Sequence, residues 1–119
     1  MAKILVVDDE PDARFLLRYA FERAGHEVTE VADGLAALAA IAASRPDLVV
    51  TDVMMPVMGG VELIRRLRAN PQTASIPILC VSGNRELATG ADVALDKFGD
   101  LSNLIPLTVD LIDKGRDPQ

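Results

Sequence analysis

The sequence predicts an α/β fold: a single five-stranded parallel sheet in the order 2-1-3-4-5, with helices on both faces. Three observations carry this. Short apolar runs alternate with longer amphipathic stretches, the pattern of successive β/α units. The runs Ile4-Leu5-Val6-Val7 and Leu48-Val49-Val50 are apolar without alternation, as expected of strands buried in a parallel sheet. Each run leads into aspartate, Asp8-Asp9 and Asp52, and open parallel sheets present functional groups at the carboxyl ends of their strands.

Residues 3–8 form the first strand. Pro11 suits an early helical position, Ala13, Leu16, Leu17, Ala20, Phe21 and Ala24 recur at helical spacing, and Gly25 stops the helix. Glu27 to Val31 is a short second strand. Asp33 caps a second helix carrying Leu35, Leu38, Ala39 and Ile41, ended by Pro46. Residues 47–51 make the third strand. The loop Met54 to Gly60 leads to a helix with Leu63, Ile64 and Leu67 on one face, closed by Asn70-Pro71. Ile76 to Val81 is the fourth strand and Val93 to Leu95 the fifth. A last helix starts at Asp100 or later and runs to Asp113, with Pro106 an obstacle anywhere beyond its first turn. Residues 114–119 read as a flexible tail.

A chain of 119 residues is one domain by length, able to bury about two-thirds of its unfolded surface without disulfides or structural metal. Half the residues are hydrophobic, and aromatics are confined to Phe15, Tyr19, Phe21 and Phe98, so the core is aliphatic. A net charge of −6 argues against nucleic acid and anionic membrane as partners. Cys80 lies inside a strand-like run and reads as a small core hydrophobe. The few apolar residues before Asp8 are too short for a signal peptide, and no run reaches membrane-spanning length, so the expected location is cytoplasmic.

The order 2-1-3-4-5 sets strands 1 and 3 side by side, bringing Asp8, Asp9 and Asp52 into one crevice. Three carboxylates cannot all ionise cheaply there unless a cation sits among them. Mg²⁺ suits such a site: Asp9 and Asp52 are the expected direct ligands and the Met54 carbonyl a third, with Asp8 acting through water. Asp52 can attack a phosphoryl group and form an acyl phosphate. Ser82, at the end of strand 4, can donate to a phosphoryl oxygen, and Lys97, after strand 5, can neutralise developing charge. Other polar residues read as structural. His26 has no ligand partner in sequence, Met54, Met55 and Met58 serve packing and loop, and Glu22, Arg23, Arg65, Arg66 and Arg68 lie on solvated helix faces.

With these residues in place the chain resembles the receiver domain of two-component response regulators, over residues 2 to about 113. The resemblance rests on Val7-Asp8-Asp9-Glu10, on Asp52 followed by Met55-Pro56 and Gly60, on Ser82, and on Lys97-Phe98. It implies a flavodoxin-like domain over residues 1–113 with Asp52 as phosphoacceptor, a metal pocket at Asp8 and Asp9, and Ser82 and Lys97 against the phosphoryl group. It further implies Mg²⁺ as cofactor, a sensor histidine kinase or histidine phosphotransfer protein as donor, a downstream protein target, and self-phosphorylation on aspartate rather than turnover of a substrate.

Three departures stand out. The stretch from Ser82 to Lys97 is about two helical turns shorter than in typical receivers, which leaves only Asn84 to Thr89 for the fourth helix. Ala94 stands where many receivers carry a switch aromatic. Phe98 replaces the usual proline, so a trans Lys97–Phe98 bond is expected, since cis would cost about 2.5–4 kcal/mol. All three fall on the face most receivers use for docking, which points to signalling through another surface, such as the first helix. A constitutive interaction module that keeps the pocket without switching is the alternative. A metal-dependent phosphohydrolase ranks last: Met54 occupies the place of the acid/base aspartate such enzymes often carry, and no insert encloses a substrate.

Overall fold

A computed structural model describes residues 2–97, 99 and 101–114. The apolar runs resolve into five parallel strands, β1 (Lys3–Val7), β2 (Glu27–Val31), β3 (Leu48–Thr51), β4 (Ile78–Ser82) and β5 (Val93–Asp96). They form one sheet in the order β2-β1-β3-β4-β5, as expected. Four α-helices connect or follow them: α1 (Pro11–Arg23), α2 (Gly34–Ala43), α3 (Gly60–Ala69) and α4 (Leu104–Lys114). The unbroken hydrophobicity of the strands follows from two separate cores. Leu5, Val7, Val49, Ile78 and Cys80 face Ala37 and Ile41 of α2 and Leu63, Ile64 and Leu67 of α3. The alternate residues Ile4, Val6, Leu48, Val50, Leu79 and Val81 face Leu17 and Phe21 of α1 and Leu104 of α4. Side chains two apart share a face, so the central strands β1, β3 and β4 are buried on both sides after Lys3, while the edge strand β2 leaves Glu27 and Thr29 exposed.

Local chemistry sets the helix ends. The Ala36 N–H donates to the Asp33 carboxylate at 2.8 Å, capping α2. Gly25, at φ +92°, ends the α1 segment in a conformation that costs other residues energy. Pro106 is third in α4, where a missing N–H has no intrahelical partner to lose. The proline therefore delays the helix to Leu104 instead of kinking it.

The connection from β4 to β5 corrects one expectation. No α-helix spans Asn84 to Thr89; a single 3-10 turn, Arg85–Leu87, is all that forms. A stretch bounded by Gly83 and by Gly90 at φ +94° is too short to repay the nucleation of an α-helix. Arg68 corrects another. It is no solvated residue: its guanidinium donates to the carbonyls of Gly90 (3.0 Å), Ala74 (2.9 Å) and Ile76 (2.7 Å) and to Asp92 Oδ2 (2.9 Å). Asp92 Oδ2 also accepts from the Ile78 N–H at 2.7 Å. One arginine thus ties the end of α3 to the start of β4 and to the lead into β5. Phe98, Asp100 and residues 115–119, on which the trans bond, the earliest helix start and most of the tail were expected, lie outside the described residues.

Candidate functional site

The register pairs Val7 with Thr51, so β1 and β3 run out side by side and release Asp8 and Asp52 at one rim. The Asp52 N–H donates to the Val7 carbonyl at 3.0 Å, extending the pairing by one step. Both carboxylates are buried, with 1% of Asp8 and 7% of Asp52 exposed. Backbone donors fix them: Glu10 N–H to Asp8 Oδ1 at 2.9 Å and Val53 N–H to Asp52 Oδ1 at 2.7 Å. Arg14 donates to the Asp8 carbonyl at 2.7 Å and anchors the start of α1 to this turn.

Lys97 arrives from the end of β5, its backbone N–H held by the Ser82 carbonyl at 3.2 Å. Its Nζ lies 2.7 Å from Asp8 Oδ2, 2.9 Å from Glu10 Oε1 and 2.9 Å from Asp52 Oδ2. The ammonium thus joins the three carboxylates around it. Burial works against its charge, but the hydrogen bonds it donates to Asp8, Glu10 and Asp52 outweigh this and hold it above the usual lysine range. Burial pushes the Asp8 carboxyl above the usual aspartate range; Lys97 and the Glu10 N–H pull it back, and the negative charge of Asp52 adds to the rise. Behind the rim, burial and the same Asp52 charge push the Cys80 thiol up to about 11.

Oxygens of Asp8, Glu10 and Asp52 lie within 4.8 Å of one another. An all-oxygen set of this size, on a solvent-open depression lined also by Asp9, Met54, Gly83 and Asn84, fits a hard divalent cation. Of the residues expected here, Asp8, Asp52 and Lys97 touch directly. The exposed Asp9 lines the depression but stands outside the close group of oxygens. Ser82 is fully buried, and its hydroxyl accepts from the Asn84 N–H at 3.0 Å. Met54 is exposed at the rim.

Glu10 was not among the expected site residues. The bend at Asp9 brings the Glu10 carboxylate to the same side as that of Asp8, and no sequence pattern marked this. His26 has a structural contact, its Nδ1 accepting from the Ala2 N–H at 3.3 Å.

Residues 4–105 match the family model of the response regulator receiver domain. The chain belongs to that family. It is 40% identical over 99 residues to the phosphate regulon transcriptional regulatory protein PhoB of Rhizobium meliloti, a match covering 77% of this chain and 44% of that protein. The chain therefore spans less than half the length of that relative. Its fold is similar to the signal receiver domain of a signal transduction histidine kinase from Syntrophus aciditrophicus, with a TM-score of 0.89, 29% identity, and coverage of 96% and 92% of the two chains. It is also similar to the response regulator TrrA of Thermotoga maritima, solved in complex with Mg²⁺-BeF, with a TM-score of 0.84, 28% identity, and coverage of 93% and 99%.

As a receiver this chain has an unusual β4–β5 side. Ala94, on β5, pairs in register with Cys80 and packs with Ala91 against the α2/α3 core. Its methyl group has no rotamer to switch. The loop after Asp52 carries Val57 at φ +68°, a conformation costly for a β-branched residue, beside a Met58 N–H bonded back to the Pro56 carbonyl at 2.7 Å. Among the described residues, no helix is long and apolar enough to cross a membrane.

Proposed function

We propose that Asp52 accepts a phosphoryl group from a phosphohistidine, on a sensor histidine kinase or a histidine phosphotransfer protein, in a Mg²⁺-dependent reaction. The observation that carries this reading is the convergence of Asp8, Asp52 and Lys97 at adjoining strand ends. Asp9, Asp52 and the Met54 carbonyl would hold Mg²⁺, with Asp8 acting through water; the ion would neutralise phosphoryl oxygens when bound.

The rest falls to the chain's own groups. Asp52, locked through Oδ1 by the Val53 N–H, presents a carboxylate with little freedom to lose on reaction. Lys97 stands 2.9 Å from Asp52 Oδ2 and can follow charge onto the incoming group. The Ser82 hydroxyl accepts from Asn84 and keeps its own proton free to donate to a phosphoryl oxygen. Glu10 helps to hold Lys97 at the rim.

Output is assigned to α1. Phe15, Leu16 and Tyr19 are all exposed on it, with the Phe15 and Tyr19 rings stacked at 6.3 Å and the Arg23 guanidinium 5.5 Å from the Tyr19 ring centre. On this reading the domain comprises residues 1–113 and acts in the cytoplasm on a downstream protein.

Incubation with a small acyl phosphate and Mg²⁺ is expected to add one phosphoryl group to the intact mass, and neither Asp52→Asn nor omission of Mg²⁺ should allow it. An unmodified wild-type chain, beside a receiver that is modified in parallel, would defeat the reading. Ala94 and the single 3-10 turn favour a second one, a constitutive interaction module. Partner binding unchanged by Asp52→Ala would select it.

A further inference from the structure

Helix α2, Gly34-Leu35-Ala36-Ala37-Leu38-Ala39-Ala40-Ile41-Ala42-Ala43, contains no polar side chain. Ala37 and Ile41 are spent on the core. The opposite face is open: Leu35 is 53% exposed, and Ala39 and Ala42 follow it at i+4 and i+7, both exposed. A surface helix normally turns charge outward, as α1 does with Arg18, Glu22 and Arg23. Beside the C-terminal half of α2 runs a groove of about 540 Å³. Leu38, Ile41, Ala42 and Leu67 give it an apolar floor, and Arg45 and Arg66 stand on its rim.

We propose that this face is the contact between two copies of the chain, paired antiparallel through α2 about a two-fold axis near Ala39. A two-fold interface must be self-complementary, and this one divides into matching halves. The N-terminal half carries the projecting Leu35, and the C-terminal half carries the groove. An axis at Ala39 lays Leu35 of each copy over Ala42 and Ala43 of the other, at the groove's edge. The same operation sets Asp33 of each copy opposite Arg45 of the other. Asp33 is the α2 cap, and the Arg45 guanidinium is exposed while donating to the Gln72 carbonyl and, at 3.0 Å, to Ser75 Oγ, with N–H groups left over for a carboxylate.

Alanine at the crossing point lets helix axes approach to about 8 Å, and antiparallel dipoles add favourably. The helix body carries no charge, so the net −6 of each copy is not concentrated at the contact. A ten-residue helix is only about 15 Å long, so the contact stays below the roughly 800 Å² per partner of stable complexes. The dimer is therefore reversible, with Kd of about 10 µM to 1 mM. It needs neither β5 nor the missing helix.

Sedimentation equilibrium of the unphosphorylated full chain tests this. The weight-average mass should climb toward that of a dimer across the millimolar range. Leu35→Lys, at a solvent-facing position, should weaken association at least ~10-fold with unchanged circular dichroism. In parallel, Ala39→Cys should oxidise to a covalent dimer much faster than the control Val109→Cys on α4, Cys80 being buried; this holds the test open if Leu35→Lys fails to fold. A chain that remains monomeric at millimolar concentration would overturn the proposal. So would a dimer insensitive to Leu35→Lys in which the Ala39 and Val109 variants cross-link alike, an outcome that places the contact on another face such as α1.

Discussion

The ammonium of Lys97 stands where three carboxylates meet, and its removal leaves them to repel one another with no compensating charge. Lys97→Ala should cost the metal-free protein about 2–4 kcal/mol in chemical denaturation, with Mg²⁺ restoring much of it. Asp8 gives the opposite sign. Its folded carboxyl titrates above the unfolded value of 3.8, so the folded state holds the extra proton between those two values. Its contribution to stability falls as pH rises through that window, and at neutral pH the ionised group is a standing penalty. Asp8→Asn should therefore stabilise the Mg²⁺-free protein at pH 7, seen as a higher melting temperature, and flatten the acid side of the stability profile. A lower melting temperature for Asp8→Asn would show that its pairing with Lys97 outweighs its burial. The strand-end position of these acids was legible in the sequence because apolar runs mark strands and the acids mark their ends. The partnership of Glu10 was not, since it depends on the bend at Asp9.

At the scale of elements, the close fit of α3 against the strand bearing Asp52 rests on Gly60. A β-carbon there would stand 2.0 Å from the Asp52 carbonyl oxygen, while the Gly60 N–H already donates to the Val53 carbonyl at 2.7 Å. Gly60→Ala must push either the helix or the strand end that bears Asp52 aside. It should destabilise the fold by about 2–4 kcal/mol and impair phosphorylation together, which unfolding curves and a phosphorylation time course would show. The connection from β4 to β5 separates arginines that look alike in sequence. Arg68→Ala removes the tie between α3, β4 and β5 and should cost about 2–4 kcal/mol, while Arg65→Ala, exposed and paired with Glu62, should leave the unfolding midpoint almost unchanged. Periodicity places both on α3 but says nothing of loop carbonyls brought near by the fold, so only the structure tells them apart. Pro106 is the converse. Its restriction on the last helix was readable, and the structure resolves it by starting α4 at Leu104.

For the molecule as a whole, the sheet order and the two helix layers were readable because the central strands β1, β3 and β4 are apolar on both faces and Asp8 and Asp52 follow directly on two of them. What the sequence left open concerns surfaces: which helix faces are partnered, and how a chain with one 3-10 turn in place of a helix passes a signal on. The structure offers the aromatic face of α1 and the apolar face of α2, both away from the β4–β5 connection. The central claim, that the shared rim of β1 and β3 makes residue 52 the acceptor, is open to one direct measurement. The protein is treated with a phosphoryl donor and Mg²⁺, reduced with borohydride so that an aspartyl phosphate becomes homoserine, and sequenced as peptides by mass spectrometry. Homoserine at position 52 alone is the expected result; homoserine at position 8 or 9, or at no position in a folded, Mg²⁺-loaded protein, would contradict the account.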